Sequence, residues 1–80
     1  MTAKAVDATG WVVEVVTLAP GSGVPSHRYF NVAIADATKA TEAVWKLPLA
    51  AKANRVEAVR KLSADEIAAL RLKPGKVKPA

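Results

Sequence analysis

Apolar and polar positions along the chain fall into short blocks of differing period, and each block predicts its own element. From Trp11 to Leu18 the run Trp-Val-Val-Glu-Val-Val-Thr-Leu is dense in β-branched residues and too short for a typical helix, which predicts a strand. One face carries Trp11, Val13, Val15 and Thr17 and the other Val12, Glu14, Val16 and Leu18, so the charge of Glu14 marks the outer face. Arg28 to Ala35 alternates more cleanly, with Phe30, Val32 and Ile34 on one side and Tyr29, Asn31, Ala33 and Ala35 on the other. The intervening Ala19–Ser26 segment holds Pro20, Gly21, Gly23 and Pro25, residues that end strands and build loops. A hairpin with a long connection is expected.

The period then changes. Asp36 stands where a carboxylate can accept from the first free N–H groups of a helix, and Ala37, Ala40, Ala43, Val44 and Leu47 fall within one arc at 100° per residue. Lys39, Glu42 and Lys46 fall opposite, Glu42 and Lys46 being spaced for an i,i+4 ion pair. Trp45 lies at the edge of the stripe, at the core rim or at a protein contact. Pro48 forces Leu47 out of helical geometry and ends the helix.

Residues 49–62 fit neither period well. Ala50, Ala53, Val56 and Val59 recur as on a helix, but Lys52 and Arg55 project into the same sector. Read as a strand, 55–62 puts Val56, Ala58 and Leu62 on one face and Arg55, Glu57 and Lys61 on the other, with Val59 and Arg60 breaking the pattern. The strand is preferred because a lone hairpin is marginal and a third strand widens the platform for the helix. Leu62-Ser63-Ala64-Asp65-Glu66-Ile67 is a capping box, Ser63 and Glu66 bonding reciprocally while Leu62 and Ile67 form a staple. A helix starting at Ala64 and ending near Leu72 follows, closed by Pro74-Gly75, with Arg71 and Lys73 where the helix dipole favours cations.

The fold class expected is therefore α+β, in the order β-β-α-β-α, with an antiparallel sheet and both helices on one face; ββααα is the alternative. Residues 1–9 read as a flexible lead-in, 10–73 as a single domain and 74–80 as a basic flexible tail. With 51% apolar residues the chain is suited to pack a core, but much of that total is alanine. The core must rest on the valines and on Trp11, Phe30 and Trp45, and a homodimer would add to it.

Charge brings in function. The net charge of +5 lies in the last thirty residues: residues 1–50 hold four Lys/Arg and four Asp/Glu, residues 51–80 eight and three. A basic segment on a neutral body suits an anionic partner, either nucleic acid or an acidic protein, and the candidate contacts are Lys52, Arg55, Arg60, Lys61, Arg71, Lys73, Lys76 and Lys78. The set lacks interleaved aromatics; if the sheet binds RNA, Tyr29 with Arg28 and Asn31 is the place. The competing class is a protein-interaction or homodimerisation domain, contacting through an edge strand or Trp45.

Catalytic chemistry has thin support. His27 is the only histidine and has no carboxylate at ligand-like spacing, so it reads as an exposed loop residue and no metal or cofactor is expected. Ser26 or Ser22 with His27 would need triad geometry that adjacency does not supply. Gly21-Ser22-Gly23 leads to a strand, not to the helix N-terminus that a phosphate loop requires. The expectation is a non-enzymatic binding module. Without cysteine, a signal peptide or a membrane-length apolar run, it is expected in the cytoplasm, without a membrane partner.

Overall fold

The valine-rich segment does form a strand, and it lies in the interior of the sheet. A computed structural model describes residues 9–18, 21 and 23–80. Residues 1–8 of the expected lead-in lie outside the described residues. The elements are β1 (Gly10–Thr17), β2 (Ser26–Val32), α1 (Ala37–Trp45), a 3₁₀ turn (Pro48–Lys52), β3 (Arg55–Leu62), α2 (Ala64–Ala69) and β4 (Val77–Pro79). The order β-β-α-β-α holds, with a fourth strand added at its end. The sheet is antiparallel, in the order β3-β1-β2-β4.

Register decides which side chains meet. Val13 stands between Phe30 and Ala58, and Val15 between Arg28 and Val56. On this face Val13, Val15, Phe30 and Val32 pack with Ala40 and Val44 of α1, all buried. The fully buried Ala40 lets the helix approach the sheet closely. Asp36 caps α1 by accepting from the Lys39 N–H at 3.1 Å, and Leu47 is extended before Pro48, as a residue preceding proline should be. Glu42 and Lys46 form no ion pair among the described residues. Trp45 leaves the core and is 45% exposed.

Leu62, Ala33, Ile67 and Leu72 form a second buried cluster, flanked by Val12 and Leu70. Side-chain alternation puts Val12 on the sheet face opposite Val13, so α2 closes one end of the sheet with a core of its own. Gly10 opens β1 at this end. A Cβ there would overlap the Val32 carbonyl oxygen, so only glycine allows the two strands to close.

One irregularity is explained and four sequence expectations are corrected. The helices do not share a sheet face, because Leu62 and Ala33 alternate to the Val12 side and draw α2 there while α1 packs on the Val13 side, and α2 ends at Ala69, short of Leu72. Val12 pairs with Arg60 and Val13 with Ala58, leaving Val59 as the extra residue of a β-bulge; this is why alternation failed at Val59–Arg60. The second strand ends at Val32, not Ala35. Ala33 instead donates to the Lys76 carbonyl at 3.0 Å and accepts from the Gly75 N–H at 2.8 Å, which carries the chain out of the β1 ladder. The expected flexible tail is ordered by those bonds: Val77, Lys78 and Pro79 pair with Val32, Asn31 and Phe30 as β4. Pro79 sits on an edge strand, where its missing N–H costs least.

Candidate nucleic-acid interface

The basic residues are distributed by the register of β3 and by the path from α2 to β4. Arg55 pairs with Val16 and Leu62 with Gly10, so Lys52 and Arg55 lie at one end of the sheet and Lys61 at the other, about 20 Å away along the strand. From α2 the chain crosses that second end through Arg71, Lys73 and Lys76 to reach β4. The structure thus brings together Arg71, Lys73 and Lys76 beside the β4 edge, leaves Lys61 on the opposite edge strand β3, and sets Lys52 and Arg55 at the other end of the sheet.

Two local motifs build this basic end. At the C-terminus of α2 the Arg71 N–H donates to the Ala68 carbonyl at 3.0 Å and the Leu72 N–H to the Ile67 carbonyl at 3.1 Å, a Schellman motif. Its left-handed position, usually glycine, is held by Arg71 at φ 54°, and Leu72 packs beneath it with Ile67. Next comes a tight turn, Lys73-Pro74-Gly75-Lys76, in which the Lys76 N–H donates to the Lys73 carbonyl at 3.0 Å and Gly75 has φ 79°. Proline followed by a positive-φ glycine is the type II pattern, which holds the first and last Cα atoms within about 7 Å. Lys73 and Lys76 are therefore neighbours, fastened to the end of β2 through Ala33.

Side-chain partners distinguish these cations from Arg55, Arg60 and Lys78, though Lys52 too has no ion pair among the described residues. Arg60 is engaged by Glu66, with Nη2 3.0 Å from Oε2 and Nη1 3.4 Å from Oε1. Those bonds, with the Ser63 N–H, hold the Glu66 carboxyl below its ordinary range. Arg55 lies 3.5 Å from Glu14 and 3.7 Å from Glu57. The Lys78 ammonium donates to the Leu70 carbonyl at 3.2 Å, capping the C-terminus of α2. Among the described residues Lys61, Arg71, Lys73 and Lys76 have no ion pair.

A second polar group occupies the sheet face away from α1. Glu14 is only 9% exposed; its Oε2 lies 2.8 Å from His27 Nδ1 and accepts from the Tyr29 hydroxyl at 3.0 Å. The hydrogen bond from His27, then that from Tyr29, depresses the Glu14 pKa against the opposing effect of burial, and the same bond raises the Tyr29 pKa. His27 is thus a strand residue, not a loop one. Ser26 alternates to the other face of β2, and Ser22 lies outside the described residues. Arg28 also alternates away from Tyr29, so Tyr29 shares its face with His27 and Asn31 instead. No group of three metal-ligating side chains forms among the described residues, and none of the described helices is long and apolar enough to cross a membrane.

The Glu14 cluster was missed by sequence reasoning. A lone acid in an apolar strand was a signal, but its meaning depended on a register that set Glu14 opposite Tyr29 and beside His27. Comparison with known protein families, with characterised proteins and with solved structures finds no match to this chain.

Proposed function

We propose that this chain is a small non-enzymatic module that binds nucleic acid through phosphate contacts from Arg71, Lys73 and Lys76. The observation that carries the reading is the type II turn that sets Lys73 and Lys76 side by side next to Arg71, none of them in an ion pair among the described residues. Such a cluster attracts polyanions and releases their condensed counterions on binding. Arg71 adds a second reason, because a positive φ is costly for any residue but glycine and strain of this kind collects at functional positions.

An amide NMR titration with short RNA and DNA strands, at low and near-physiological salt, tests the proposal. Shifts centred on residues 71–76 should persist at the higher salt. Three phosphate contacts give a slope of about −2 in log affinity against log salt for a single strand. Shifts confined to low salt, or spread evenly over all lysines and arginines, would defeat it.

A further inference from the structure

We infer that the nucleic acid taken by this module is single-stranded, and that its bases stack on Tyr29 and His27 across the open face of the sheet. The inference rests on the phosphate-binding reading and extends it from charge to strand type.

Residues two apart in a strand share a face, about 6.6 Å from each other, and β2 places His27 and Tyr29 in that relation. Both rings are accessible, Tyr29 at 44% and the His27 side chain at 46%. α1 packs on the opposite face and α2 only at the far end, so among the described residues no helix covers the two rings. Each ring is also tethered by its polar edge to the same Glu14 oxygen, which limits the rotamer freedom that stacking would otherwise cost. Stacking on tyrosine and histidine requires unpaired bases, since a duplex keeps its base faces occupied.

Charge complementarity selects this occupant for the face. Glu14 does not oppose a phosphodiester strongly, because its carboxylate is nearly buried and engaged by His27, Tyr29 and Arg55. From the rings β2 runs through Asn31 to Ala33, where the lysine turn is fastened, and Lys78 lies beside Asn31. On this face Asn31 and Ala33 are buried where α2 closes the end of the sheet, so a strand leaving the rings would run along the exposed β4 edge, past Lys78, to reach the lysine turn.

The test measures affinity for a short pyrimidine RNA, the same sequence as DNA, and a duplex of equal length, using the wild type, Tyr29→Leu, Tyr29→Phe, His27→Ala and a Lys73→Gln/Lys76→Gln double variant. Amide spectra of each variant check the fold, since His27→Ala and both Tyr29 variants each remove a hydrogen bond to Glu14. The single strands should bind more tightly than the duplex. Tyr29→Leu should weaken single-strand binding about tenfold, with little effect on the duplex. Tyr29→Phe keeps the ring and should stay near wild type, and His27→Ala should weaken binding less than Tyr29→Leu. If single strands bind and only the lysine double variant weakens them, phosphate binding stands and the stacking face is wrong. Equal or tighter binding of the duplex would also overturn it. If no nucleic acid binds at near-physiological salt, both readings fail.

Discussion

Arg71 holds a backbone conformation that glycine would hold without steric cost. A left-handed φ costs a non-glycine residue about 1–2 kcal/mol, while glycine loses about 0.4–1 kcal/mol more through the freedom of its unfolded chain. Arg71→Gly should therefore stabilise the fold by about 0.5–1 kcal/mol, read as a higher denaturation midpoint, and at the same time weaken nucleic-acid binding. A lower midpoint would mean that the arginine side chain holds the fold in some way its backbone geometry hides. At this scale some of the structure was legible: Asp36 was expected to cap α1, and its carboxylate accepts from the Lys39 N–H. The requirement for Gly10 was not, because the carbonyl it must clear belongs to Val32, a residue brought close only by strand pairing.

Elements were legible where their determinants are local. Both bonds of the capping box are present, the Glu66 N–H to Ser63 Oγ at 3.2 Å and the Ser63 N–H to Glu66 Oε1 at 3.0 Å. Ser63→Ala removes one of them and should cost about 1 kcal/mol in urea denaturation, with the loss of protection concentrated in Ala64–Ala69. An unchanged midpoint would mean that packing of Ile67 and Leu72 holds the helix without its cap. β3 and β4 were harder because their determinants are not local. β3 hid its period behind a bulge that exists only relative to Val12 and Val13. β4 has three residues, one of them proline, and no pattern of its own; it is a strand because Ala33 and β2 offer it an edge.

For the whole molecule, the pH dependence of stability follows from two carboxylates. Glu14 and Glu66 both have pKa values lowered on folding, by hydrogen bonds from His27 and Tyr29 in one case and from Arg60 and the Ser63 N–H in the other. The unfolded chain then binds more protons than the folded one in acid. Their contribution is therefore full above the ordinary glutamate pKa of about 4.3 and is lost as pH falls through the lower folded values. Denaturation midpoints measured from pH 7 downward should fall in that window, and Glu14→Gln should flatten part of the decline; a curve level to pH 3 would contradict the assignment. Taken by itself, the sequence determined the α+β class, the start of each helix, the core role of Phe30 and the excess of cations in the C-terminal third, because propensity, capping and charge act between near neighbours. The tertiary structure alone decided that Arg71, Lys73 and Lys76 lie at the opposite end of the sheet from Lys52 and Arg55, and that Glu14 lies beneath Tyr29 and His27. The physical reason is that strand register and edge pairing join residues far apart in sequence, and those contacts leave no periodic trace in either partner.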